Sequence, residues 1–75
     1  MYSVVVVSQR DSNVVEKVLV FDSYESAHHF AGKEAYGYAN EKGLEVFAGS
    51  DRFDAFDETG VGLVCSWHIV EISKQ

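Results

Sequence analysis

Tyr2-Ser3-Val4-Val5-Val6-Val7-Ser8 and, five residues later, Val14-Val15-Glu16-Lys17-Val18-Leu19-Val20-Phe21 carry the information that decides the fold. Both stretches are rich in β-branched and aromatic residues, which fit a pleated surface, so each reads as a strand. The polar cluster Gln9-Arg10-Asp11-Ser12-Asn13 between them is a turn, and the pair makes a hairpin. What sets these strands apart is that neither alternates cleanly. Val4 and Val6 point one way and Val5 and Val7 the other. In the second strand Val15, Leu19 and Phe21 oppose Val14, Val18 and Val20. A sheet with one face in water should be apolar on the inside only.

Downstream of the hairpin the period changes. Asp22 or Ser23 opens a helix, with Glu25 at capping-box distance from Asp22. Tyr24, Ala27, Ala31, Ala35, Tyr38 and Ala39 recur at helical spacing and form a single stripe. The alanines let the helix lie close to a sheet, and the two tyrosines fill its ends. Gly32 and Gly37 weaken the interior, so this helix depends on packing. Gly43 ends it as a left-handed cap. Leu44 to Ala48 is a third strand, and Gly49 to Gly60 an acidic segment, either a loop or a short helix. Val61 to Ile72 is the last strand, with Val61, Leu63, Cys65, Trp67 and Ile69 opposing Val64, Val70 and Ile72. The expected architecture is α+β: a mostly antiparallel four-stranded sheet with one main helix on one face, in the order ββαβ–short helix or loop–β.

One helix cannot cover two apolar faces. Either a second subunit shields the other face, or the 49–60 segment folds over it with Phe53 and Phe56 as anchors. We expect a homodimer. The chain, residues 1–75, is one domain, and at this size folding removes only about 60% of the unfolded surface from water. No disulfide within the chain can help, because Cys65 is its only cysteine. A lone cysteine without a secretory or membrane-spanning stretch points to a reducing, cytoplasmic setting.

Twelve acidic residues against six basic ones give a formal charge of −6, which opposes direct binding to nucleic acid or to an anionic membrane. Asp51, Asp54, Asp57 and Glu58 are the densest acidic cluster, with Phe53 and Phe56 interleaved. On a helical turn the four carboxylates would share a face and the two rings another, an acidic ridge on an apolar anchor. Carboxylates so spaced can imitate phosphates and occupy a nucleic-acid-binding groove of another protein. A solvated loop with two rings tucked inside is the plainer reading of the same residues. Tyr36 lies off the helix stripe and is a further candidate contact.

Chemistry beyond binding has little to rest on. His28 and His29 diverge by about 100° on a helix, and Cys65 and His68 fall on opposite sides of a strand, so no metal-ligand set forms. No nucleophile elbow or phosphate-cradling glycine loop is present, and a strand cysteine is ordinarily a small core residue. We therefore expect no enzyme, no cofactor and no metal. Small acidic chains of this kind resemble the inhibitors and decoys that bacterial viruses make against host enzymes. That resemblance implies a cytoplasmic protein that blocks or modulates a host protein, including a basic nucleic-acid-binding one. A regulatory or structural domain with a housekeeping partner is the alternative, and a small enzyme using Cys65 or a histidine is a third.

Overall fold

A computed structural model of the chain describes residues 1–9, 14–60 and 62–72. The hairpin strands form where the valines place them, β1 at Tyr2–Ser8 and β2 at Val14–Phe21. Helix α1, Tyr24–Lys42, begins at Ser23, whose backbone is extended and whose Oγ accepts from the Ser26 amide at 3.2 Å. Asp22 is therefore outside the cap. Gly43 closes the helix at φ 70°, its N–H bonded to the Ala39 carbonyl, a conformation that an L side chain adopts only with strain. Strands β3 (Glu45–Ala48), β4 (Arg52–Phe56) and β5 (Leu63–Glu71) follow. The turn expected at 9–13 lies, beyond Gln9, outside the described residues, as does Val61.

The five strands make one antiparallel sheet in the order β2-β1-β5-β4-β3. The expected α+β class holds, with one correction. The acidic segment is neither loop nor helix. Its middle is β4, so the sheet has five strands where four were expected. The physical reason lies in Arg52-Phe53-Asp54-Ala55, which alternates polar and apolar with the period of a half-buried strand. Between β5 and the short β3, it closes the backbone hydrogen bonds of both neighbours.

One face of the sheet lies under α1. Ala27, Ala31, Ala35 and Ala39 are buried along the helix, and Val4, Val6, Phe53, Ala55, Cys65, Trp67 and Ile69 rise from the sheet to meet them. Tyr24 and Tyr38 pack at the two ends as their spacing suggests, Tyr38 edge-on to Trp67 at 5.5 Å between centroids. The Trp67 indole N–H donates to Glu34 on the helix at 3.3 Å, and Glu34 also holds Lys17 of β2 at 2.8 Å. Gly32 has a packing reason: a Cβ there would stand 3.2 Å from the Phe53 ring. Gly37 has none, with nothing within 4 Å of such an atom.

Two substitutions test this core. Gly37→Ala should raise stability by roughly 0.5–1 kcal/mol, since the helix gains propensity and the site is open. Phe53→Ala should cost roughly 3–5 kcal/mol, because the ring is fully enclosed between helix and sheet. Urea unfolding of the two variants against the parent chain gives both numbers.

Candidate functional site

The other face of the sheet has no helix on it. The β1–β2 register pairs Val4 with Leu19 and Val6 with Lys17, then shifts so that Val7 meets Val15. Glu16 is the extra residue of a bulge. That bulge moves Val15 to the open side beside Val18 and Val20, and Val14 to the other side, the reverse of the simple alternation read from sequence. The row of three valines is solvent-exposed, Val15 at 59%, Val18 at 55% and Val20 at 56%. Val5 and Val7 of β1 and Val70 of β5 continue the patch, and Phe47 of β3 stands against Phe56 of β4 at 5.1 Å farther along.

Between them the face is smooth and almost uncharged. Ser3 and Ser66 are buried although they point to the open side, because larger neighbours overhang them. Ser66 Oγ lies 2.9 Å from His68 Nε2, and the imidazole covers it. Arg52 and Asp54, cross-strand neighbours of His68 and Ser66, neutralise each other through Nη2–Oδ1 and Nε–Oδ1 contacts of 2.7 and 3.1 Å. The Asp54 hydrogen bond leads the effects that raise the Arg52 pKa. On the open side of β2, β1 and β5 the described residues carry no carboxylate, ammonium or guanidinium.

The acidic residues singled out from sequence do not come together. Asp51 sits in the turn before β4, where its carbonyl accepts from the Ile69 amide at 2.8 Å. Asp54 belongs to the open face and is paired. Asp57 follows β4 and folds back on its own hairpin, accepting from the Thr59 amide at 3.0 Å and from the Thr59 hydroxyl. That hydroxyl is the main influence holding the Asp57 carboxyl below its ordinary range, and the amides of Thr59, Gly62 and Gly60 add to it. A Cβ at Gly62 would fall 2.0 Å from the Asp57 carboxylate, so a larger residue there would displace that side chain from its place in the turn. Glu58 is exposed in the same turn. Asp51 and Asp57 lie at opposite ends of β4, about 20 Å apart along the strand. Because the segment is a strand, Phe53 and Phe56 also part company, Phe53 entering the core and Phe56 the open face. The single ridge with its two-ring anchor is thus replaced by two turns and an ion pair. Nor does this segment cover the open face. Tyr36 is exposed on α1, edge-on to Phe53 at 6.3 Å, on the far side of the molecule from the valines.

The helix side holds a cleft of about 550 Å³ in which Glu16, Lys17, Glu34 and Glu41 surround a floor of Trp67 and Cys65. Cys65 is buried, and loss of hydration pushes its thiol up to about 11. His28 packs between Tyr24 and Phe53, at 5.4 and 5.0 Å between centroids, while His29 is exposed. Cys65 and His68 face opposite sides of the sheet. Among the described residues no three His, Cys, Asp or Glu side chains are placed to hold a metal ion, and no helix is long and apolar enough to cross a membrane. Compared with protein families, with characterised proteins and with solved structures, the chain matches none.

The open-face valines were visible in the sequence as two-sided strands, but periodicity alone does not say which set the helix takes. The signal that does is the tryptophan: Trp67 fixes the helix side of β5, and the register carries that choice to β1 and β2.

Cys65 gives a direct test of the helix side. A thiol reagent should label it slowly in the folded chain and rapidly in denaturant, and fast labelling of the folded chain would mean an accessible thiolate. Because its folded pKa is raised, the stability it is linked to is fully present below pH 9 and lost as pH rises from 9 toward about 11. Thermal melts across that range should show a shallower decline in Cys65→Ala than in the parent chain.

Proposed function

We propose that the chain is a non-enzymatic binding domain of the cytoplasm that blocks or modulates another protein, and that the uncovered valine face is where it docks. The observation that carries this reading is the row Val15, Val18 and Val20, each more than half exposed, on the part of the face formed by β2, β1 and β5, where no described side chain carries a carboxylate, ammonium or guanidinium. Exposed apolar patches of several hundred Å² are uncommon on chains that work alone and mark interaction sites. Aromatic Phe47 and Phe56 at one end supply the large, rigid side chains that anchor interfaces.

The chemistry of the remaining candidates supports binding over catalysis. Cys65 is held as a neutral thiol beneath the helix. Ser66 and His68 touch, but the hydroxyl is wholly buried, and Asp54, which could orient the ring, is engaged by Arg52. A decoy that imitates nucleic acid needs carboxylates in a row. Asp54 and Asp57 are committed to internal partners, and Asp51 and Glu58 stand at opposite ends of a strand. The apolar face therefore has the stronger support as the contact surface, and the charge of −6 contributes steering toward a basic partner.

Affinity capture from the native cell, repeated at several salt concentrations, tests this. Val18→Glu combined with Val70→Glu should abolish partner retention, while neutralising Asp51 and Glu58 to Asn and Gln should change it little. Retention should persist at 1 M salt, where the screening length is about 3 Å. Binding that survives the two glutamates but vanishes with salt would make the carboxylates the interface.

A further inference from the structure

We propose that a second copy of this chain covers the open face, giving a weak, reversible, face-to-face dimer that a tighter partner displaces. The proposal rests on the reading of this face as an interface and names its first occupant. Its area is the first argument. Five strands spaced about 4.8 Å apart, each rising about 3.3 Å per residue, present a face of roughly 500–600 Å². Two such faces would bury roughly 1,000–1,200 Å² in all, at the lower edge of specific interfaces, which suits a dimer that forms at micromolar concentration and yields to competition.

Charge is the second argument, and it distinguishes a second copy from a basic partner. The open side of β2, β1 and β5 is neutral. Of the described carboxylates, Glu25, Glu34 and Glu41 lie on the helix, Asp22, Asp51, Asp57 and Glu58 in turns, and Glu16 and Glu71 toward the helix side of their strands; on the open face itself Asp54 is paired with Arg52, and Glu45 stands on β3 opposite Phe56. Stacked face to face, two copies would turn most of their negative charge away from each other. At contact, a basic partner would meet only the paired Asp54 and, toward the β3 edge, Glu45. The third argument is shape. Antiparallel sheets pack face to face about 10 Å apart, and the β2–β1 half of this face, made of valines and Ser3, has no long side chain to hold a second sheet off.

The edge of the sheet is the competing route, and β2 discourages it. The bulge at Glu16 breaks its ladder, and Lys17 adds a charge beside it.

Sedimentation equilibrium of the full chain across the micromolar range is the experiment. The expected result is a reversible monomer–dimer equilibrium, with Val18→Lys monomeric throughout and its circular dichroism and melting unchanged. Lys33→Glu, on the helix, should leave the dimer intact. A parent chain that is monomeric throughout overturns the proposal, as does a dimer that Val18→Lys leaves intact. Methyl NMR of the parent chain needs no variant: shifts that move with concentration should be confined to Val5, Val7, Val15, Val18, Val20 and Val70. Shifts on the helix side instead would overturn it. The two readings fail separately. A monomeric parent whose partner capture is still lost in Val18→Glu with Val70→Glu removes the second copy and keeps the interface. A dimer broken by Val18→Lys, with capture untouched by the glutamates, does the opposite.

Discussion

The close approach of α1 to the sheet is the constraint on which everything else in this molecule depends. Ala27, Ala31, Ala35 and Ala39 project a single methyl each, so the helix settles onto the sheet and the bulk that fills the space between comes from Val4, Val6, Phe53, Trp67 and Ile69. Gly32 extends the same logic by one position, yielding room for the Phe53 ring at a cost in helix propensity of up to about 1 kcal/mol. In a chain of 75 residues this arrangement uses the one helix among the described residues on one face of the sheet. The bare second face is a direct consequence, not a separate feature.

Much of this was legible in the residues, and what was not has a physical cause. The ends of β1 and β2, the alanine stripe and the Gly43 cap all follow from side-chain period and backbone preference, which are local properties. The fourth strand is different. Asp51, Asp54 and Asp57, with Phe53 and Phe56, recur every third residue, and that spacing imitates a helical face. The alternation of Arg52-Phe53-Asp54-Ala55 competes with it over only four residues. What decides between them is non-local: β4 supplies backbone hydrogen bonds to both β3 and β5, and Phe53 finds its place against Gly32. The bulge at Glu16 is likewise invisible in sequence, since it arises from the pairing of two strands and not from either alone.

The candidate surface was half legible for the same reason. Two-sided apolarity in three strands announces an unmet need for cover, but Phe53 and Phe56, the anchors of the alternative to a second subunit, are divided between core and surface. Acidity misled in a comparable way. A cluster along the chain becomes a surface ridge only if the backbone is helical. In a strand with turns at both ends, the same four carboxylates are spread by the extended rise and drawn into local tasks, Asp54 to Arg52 and Asp57 to Thr59.

Charge and apolar surface are therefore largely segregated: of the described carboxylates, only Asp54, paired with Arg52, and Glu45 lie on the open face. The helix side and the turns hold most of the negative charge, and like charges repel at long range. Across the open face this repulsion is weakest, because the charges stand behind the sheet and the salt of a cell screens them within about 8 Å. Hydrophobic association needs no charge and acts only at contact. In the proposed pairing, two copies would repel each other in most orientations and associate in one. Selectivity for that orientation would come from the valine row and from the mutual neutralisation of Arg52 and Asp54, whose loss on either side would leave a bare charge beside His68. The ion pair thus acts less as a source of stability, which an exposed pair scarcely provides, than as the device that removes two charges from the middle of the face.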